Sequence, residues 1–207
     1  MKRPILILSA VVCSLVFLSA CAPRSQLVVP GQLARPPQAG PPPAGPPAVA
    51  VTDFSFTPAE SEPGVIGRDH DQVRSVVWKG EPGRTMADLV AGAFADRGVP
   101  ALRLKAGDPA PDNVARVVSG TVRRFELTVR RRNVMSVYVE ATVALSLTSS
   151  GAGAAAPWET SVSSSAVLQD VFPLAEDLRK VLSSAANSAA EEGVRRLQEG
   201  GAAATSR

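Results

Sequence analysis

The chain has 207 residues, two cysteines, and 22 Lys and Arg against 19 Asp and Glu, a formal net charge of +3. Lys2 and Arg3 fall in the first twenty residues with no acid beside them, so without residues 1–20 the count is 22 − 2 = 20 cations against 19 anions. A nearly neutral chain with one Tyr and two Trp gives no charge argument for a nucleic-acid partner, which is not expected, and offers no aromatic platform for bases or sugars.

Met1-Lys2-Arg3 is a basic start, Pro4 to Ala20 is an apolar run without acids, and Leu18-Ser19-Ala20-Cys21 closes it. These are the parts of a bacterial lipoprotein signal peptide spanning residues 1–20, cleaved before a thiol. Cys21 is the expected lipidation site, with a diacylglycerol on its sulfur and a further acyl chain, palmitate or similar, on its new amine. The competing reading is an uncleaved anchor, but an apolar run of about 16 residues falls short of the ~20 that span a bilayer. Two or more acyl chains, at roughly 0.8 kcal/mol per buried CH₂, anchor stably. Ala22, rather than Asp, follows Cys21, which points to sorting to the outer membrane on its periplasmic side. Cleavage removes Cys13 and acylation occupies Cys21, so neither a disulfide nor a thiolate metal site can form.

Residues 21–47 are rich in Pro, Gly and Ala. Proline lacks the N–H that a ladder or helix needs. The segment therefore reads as a semi-rigid polyproline-like tether reaching about 80 Å if extended, either a spacer or a ligand for a proline-binding partner. The folded domain is expected over 48–198, with a disordered tail over 199–207.

Within it, Ala48 to Phe54 predicts a first strand, and residues 55–71, punctuated by Pro58, Pro63, Gly64 and Gly67, a loop. Gln72 to Lys79 predicts a short strand. Thr85 to Arg97 predicts a helix, with an apolar stripe at Met86, Leu89, Val90, Ala93 and Phe94. Thr85 and Asp88 have capping-box spacing, and Gly98 suits the residue after the helix, with Pro100 following. Ala101 to Leu104 is a short strand. Val114 to Arg130 carries apolar residues in one phase at Val118 and Val122 and in the other at Phe125, Leu127 and Val129. Keeping both sets on one face requires a β-bulge at Arg123-Arg124. Arg131-Arg132-Asn133 is the expected turn, and Val134 to Thr148 alternates from Met135 to Leu147. Residues 149–153 form the next turn, and Trp158 to Leu168 the third strand. Pro173 to Leu197 closes the chain as a helix, with Pro173 in the first helical position, Leu174, Leu178, Val181, Leu182, Ala185 and Ala189 inward, and Gly193 weakening its last turns. The sum is an α+β two-layer sandwich: an antiparallel, mostly meander sheet with two helices on one face.

No catalytic constellation stands out, so the protein reads as a non-enzyme without a cofactor. The single His70, in Arg68-Asp69-His70-Asp71, makes too poor a cage for a metal. Ser163-Ser164-Ser165 reads as the wet face of a strand. The candidate contact residues are Arg123 and Arg124 at the bulge and Arg130, Arg131 and Arg132 at the turn. They read either as a clamp on phosphates of lipid headgroups or lipopolysaccharide, or on an acidic partner, or as solvated charges that blunt strand edges. Tyr138 and Trp158 read as cross-strand packing or as a sheet-face patch.

The helix Arg84–Arg97 before Gly98, the run Val118-Ser119-Gly120-Thr121-Val122, the alternation Val137 to Leu147 and the Pro173 helix resemble the YajG-type family of bacterial lipoproteins. More loosely, they resemble the auxiliary lipoproteins of ABC-type envelope transport systems (PqiC-like). The resemblance covers most of 48–198 and carries no catalytic motif; the Pro-rich segment is an addition. It implies an accessory or assembly partner in envelope transport or maintenance. That partner is held at the membrane by acyl chains, docks on an envelope protein, and has sheet edges open to self-association. The alternatives are a tethered regulator of peptidoglycan synthesis and a lipid or glycolipid carrier.

Overall fold

The computed structural model describes residues 26–35, 44–58, 62–70, 72–133, 135–151 and 157–205. The leader 1–20, Cys21 and part of the expected 149–153 turn lie outside them. In chain order the strands are β1 (Gln26–Val29), β2 (Val49–Thr52), β3 (Ser55–Phe56), β4 (Val65–Asp69) and β5 (Arg74–Trp78). After helix α1 (Pro82–Asp96) come β6 (Ala101–Leu104), β7 (Arg116–Asn133), β8 (Ser136–Gly151) and β9 (Trp158–Asp170), then helix α2 (Ala175–Thr205).

The spine is the meander that the alternation predicts. β8 pairs antiparallel with β7 on one side and with β9 on the other. Its odd-numbered residues Val137 to Leu147 are buried while the intervening ones are half-exposed, so one face packs and one stays wet. In β7 the register shifts between Val122 and Arg124. The inserted Arg123 lets Val118, Val122, Phe125, Leu127 and Val129 all point into the core, as the phase slip requires.

The sheet is mixed, not antiparallel throughout. The far edge of β7 is shared by three short strands, all parallel to it: β2 at 116–118, β3 at 121–122 and β4 at 127–129. β6 extends β2 in parallel, β5 pairs antiparallel with β4, and β1 adds to β5 in parallel, giving nine strands in one sheet among the described residues. A helix returning the chain from β5 to β6 permits a parallel neighbour for β2, because parallel strands need a long crossover. The predicted loop 55–71 thus contains β3 and β4. Gly67 makes β4 possible: a Cβ there would stand 1.8 Å from the Leu127 carbonyl oxygen.

The two helices contact each other, and each contacts the sheet. α1 begins three residues before the predicted start, with Pro82 in its first turn and no side-chain cap at Glu81. The expected Thr85–Asp88 box does not form, because the helix has already begun at Pro82 and the Thr85 N–H donates to the Glu81 carbonyl; Asp88 Oδ1 accepts from Arg103 Nε at 2.7 Å. The helix stops as expected: Gly98 takes φ +74°, and the Val99 N–H returns to the Phe94 carbonyl, the glycine C-terminal motif. α2 begins at Ala175, not Pro173; the Asp177 carboxylate accepts from the Leu174 N–H at 3.0 Å, and Leu174 is exposed. It runs past the predicted end at Leu197 into the residues expected to be a disordered tail. Gly193 and Gly200 are sites of close approach: a Cβ at Gly193 would meet Leu147, and one at Gly200 the Trp158 ring.

The largest departure from expectation is in residues 26–35, which the sequence places in a free tether. β1 pairs with β5 from Gln26–Ser75 to Val29–Trp78, and Val29 is fully buried. Beyond it the chain lies across both helices. The Ala34 N–H donates to Ser183 Oγ at 3.0 Å, Asn187 Nδ2 donates to the Ala34 carbonyl at 2.9 Å, and Arg35 pairs with Asp96. The Gln26-Leu27-Val28-Val29 run supplies the N–H groups and β-branched side chains that the prolines further on lack.

Candidate functional site

The structure divides the five arginines into two groups. Arg123 and Arg124 flank the β7 bulge, where Arg123 Nε donates to Ser146 Oγ at 3.2 Å and Arg124 Nε lies 3.5 Å from Glu126 Oε2. The turn expected at Arg131-Arg132-Asn133 does not form there; these residues continue the strand from Arg130, with Arg130 opposite Tyr138 and Arg131 opposite Val137. The reversal comes two residues later, where Asn133 Oδ1 accepts from the Met135 N–H at 2.9 Å and from Ser136 Oγ at 3.0 Å. Six residues of strand put the two groups ~20 Å apart, so they cannot act as one clamp.

The bulge arginines overlook a gap. Between its partners β3 and β4, β7 has an uncovered edge, and a cleft of about 280 Å³ opens there among Ile66, Arg68, His70, Arg123, Arg124 and Phe125. A second cleft of about 390 Å³ shares Phe56, Val65 and Ile66 with the first and reaches Trp78 and the start of α1 at Pro82 to Arg84. Phe125 meets Phe56 and Trp78 edge to face, with centroids 6.5 Å and 5.6 Å apart, a favourable ring geometry. The basic rim and aromatic floor suit an amphiphile with an anionic head. Sequence reading misses this cleft because Phe56, Val65 and Ile66 fall in the stretch read as loop; the apolar pairs inside it were the available signal.

His70 is exposed, and its backbone N–H donates to the Val129 carbonyl at 2.9 Å. Asp69 is buried and accepts from Arg74 Nε at 2.8 Å and the Gln72 N–H at 3.2 Å, which staples the β4–β5 turn. Asp71 lies outside the described residues. Among the described residues no cluster of His, Cys, Asp or Glu could hold a metal. Ser163 and Ser165 are exposed and Ser164 half-buried, with Ser165 Oγ 3.2 Å from Thr142 Oγ1 across the wet face. Tyr138 stands between Arg130 and Gln169 on adjacent strands, and Trp158 packs over Gly200 while 45% exposed.

β9 forms the far edge of the sheet. Its ladder with β8 runs through thirteen residues without a register shift. Between Glu159 and Asp170 it carries no charge and no proline. Arg196 Nη1 donates to the Ser161 carbonyl at 2.9 Å and covers one point of the edge. Edge strands are ordinarily protected by charge, proline or bulges; β9 is long, regular and neutral.

No family model matches the chain, and no curated protein matches it. Among solved structures it is similar to a Xanthomonas campestris protein described by the DUF330 family model, at 15% identity and a TM-score of 0.56, over 88% of this chain and all of that one. Further structures align with lower TM-scores. One is a PelC dodecamer from Paraburkholderia phytofirmans (18% identity, TM-score 0.43, 77% of this chain and 94% of that one). Another is a minor lipoprotein from Acinetobacter baumannii (10%, 0.41, 74% and 94%). The DUF330 likeness shows that the mixed sheet with two helices is a fold this chain shares with another bacterial protein.

Proposed function

We propose that the chain is an envelope lipoprotein, acylated at Cys21, whose domain works by docking rather than by catalysis. It serves as an accessory or assembly partner in envelope transport or maintenance, at the periplasmic side of the outer membrane. The signal-peptide pattern ending in Leu18-Ser19-Ala20-Cys21 supports the lipoprotein part, and the layout of the domain carries the YajG-type or PqiC-like affiliation. The observation that carries the docking part is the β9 edge, long, regular and neutral and covered only at Ser161 by Arg196 among the contacts described: it accepts an added strand through main-chain hydrogen bonds. The strand comes from an envelope protein or from a second copy of this chain. The test is crosslinking in cells from a photoreactive residue at Ser163, with Ser163→Lys/Ser165→Lys as the blocking variant. Those side chains are exposed, so the fold survives, while charge on the edge discourages pairing. A crosslinked envelope protein or self-dimer that vanishes in the variant is expected; no adduct, or one that persists, refutes the edge as the docking site.

The paired clefts favour a second reading, a lipid or glycolipid carrier, in which Arg68, Arg123 and Arg124 hold an anionic head and Phe56, Phe125 and Trp78 an acyl segment. Mass spectrometry of organic extracts from the purified protein decides it. A stoichiometric lipid lost on Arg123→Glu/Arg124→Glu supports the carrier, and a lipid-free protein refutes it. The peptidoglycan-regulator reading rests on a long tether, which the docking of residues 26–35 shortens.

A further inference from the structure

One end of the molecule gathers features that the fold does not need. The β7–β8 reversal, the β4–β5 turn, the β9–α2 connection and the start of β1 meet there. Leu27, Gln72, Arg131, Val137 and Phe172 line a common depression. Among the described residues, the large apolar side chains more than two-thirds exposed are Val73 (89%), Phe172 (79%), Met135 (72%) and Leu174 (68%). Each lies in one of these connections. Apolar residues scattered singly need no explanation; a cluster at one end does. Val73 is also held at φ +50°, a left-handed conformation that a β-branched residue avoids. A turn selected for stability alone would place Gly or Asn there.

Charge completes the pattern. Arg130, Arg131 and Arg132 are exposed beside the apolar set. Among the described acids of this end, Asp69 pairs with Arg74, Asp170 accepts from the Val171 N–H, and Asp177 from the Leu174 N–H and Lys180, while Arg132 Nη1 donates to Gln169 Oε1 at 3.4 Å. The chain enters the domain at this end, because Gln26 pairs with Ser75 next to the Arg74–Asp69 pair of the β4–β5 turn.

We propose that this end is a bilayer-docking surface: Val73, Met135, Phe172 and Leu174 insert among acyl chains of a membrane while Arg130 to Arg132 meet its anionic phosphates. The inference rests on the lipoprotein reading, since Cys21 precedes Gln26 by five residues and five residues span at most ~18 Å. An acylated Cys21 therefore holds this end, and not the β9 start, against the lipid. The Pro-rich stretch 36–47 is then a connection within the domain between β1 and β2, not the spacer to the membrane. Guanidinium groups suit phosphate by their forked donors, and apolar insertion with cationic flanks is the pattern of interfacial binding.

The test uses the full mature lipoprotein in vesicles of phosphatidylethanolamine and phosphatidylglycerol, with phosphatidylcholine vesicles as the neutral comparison. With Cys21 acylated, a cysteine introduced by Val73→Cys, Phe172→Cys or Glu159→Cys is the one free thiol. Each is labelled with bimane and challenged with lipids brominated along the acyl chain. Labels at Val73 and Phe172 are expected to be quenched several-fold more than one at Glu159, which lies ~40 Å away at the other end of β9. The quenching should be stronger in the anionic vesicles and should fall with Arg130→Glu/Arg131→Glu/Arg132→Glu. Mass spectrometry of the Cys21 peptide separates the failures. Acylated Cys21 with equal quenching at Phe172 and Glu159 overturns this inference and leaves the lipoprotein reading standing; Cys21 without acyl chains overturns both.

Discussion

Arg35 Nη2 stands 2.7 Å from Asp96 Oδ2, which fastens the segment after β1 to the last turn of α1. Both side chains are more than a third exposed, so the pair itself contributes at most ~1 kcal/mol. The larger contribution comes from Val29, which is fully buried. Val29→Ala should lower stability by about 2 kcal/mol, and Asp96→Asn by less than ~1 kcal/mol, both read by urea denaturation of the mature chain. A Val29→Ala cost indistinguishable from zero would return residues 26–35 to the status of a free tether.

Gly67 sets the register of β4 against β7. The Cβ of an alanine would stand 1.8 Å from the Leu127 oxygen, a backbone atom that cannot swing aside. Gly67→Ala should therefore cost ~3 kcal/mol or more and open both clefts by displacing β4. Gly193→Ala is the control: its Cβ would meet the end of the Leu147 side chain at 2.6 Å, which can rotate, so the cost should be smaller. Thermal melting of the two variants ranks them, and equal losses would contradict the register argument.

How much was legible in the sequence follows from how each element is stabilised. The β7–β8–β9 meander and its bulge could be read because alternation over long strands reports burial directly: Val122 and Phe125 differ in phase, yet both are buried. The end of α1 could be read because Gly98 needs a left-handed backbone. Strand direction could not, since β3 and β4 are two and five residues long and their pairing depends on distant β7. β1 was hidden for a different reason: its four residues sit in a proline-rich neighbourhood whose composition outweighs them. The candidate arginines and their two places, bulge and hairpin end, were legible, but Arg131 and Arg132 proved to be strand residues, because pairing with β8 runs on to Asn133.

Acid should loosen the C-terminal half of α2. The Glu192 carboxylate accepts from Arg195 and from Arg196 at 2.6–2.8 Å. Those hydrogen bonds, Arg195's first, hold its pKa below the ordinary 4.5, at about 2. A folded pKa below the unfolded one gives stability that is complete above about 4.5 and is lost as pH falls towards about 2. The difference in melting temperature between the native chain and Glu192→Gln should therefore close across that window, and should narrow with added salt because the cluster is at the surface. A gap that survives unchanged at pH 2 would mean that the substitution acts through something other than the ion pairs.

Val73 should show a conflict between stability and membrane contact. It is 89% exposed with φ +50°, so its side chain gives the fold little, while the left-handed backbone costs ~1–2 kcal/mol for a residue other than Gly or Asn. Val73→Asn should raise stability by about 1 kcal/mol while weakening association of the lipoprotein with anionic vesicles, read as reduced quenching of a bimane label at Phe172. Phe172→Ser should weaken association without the gain in stability, because Phe172 is exposed on an unstrained backbone. The two variants separate the roles: strain is relieved by only one of them, and apolar contact is lost in both. If Val73→Asn stabilises the protein and leaves the Phe172 label fully quenched, the β4–β5 turn lies outside the lipid-facing surface, and the strain at Val73 needs another cause.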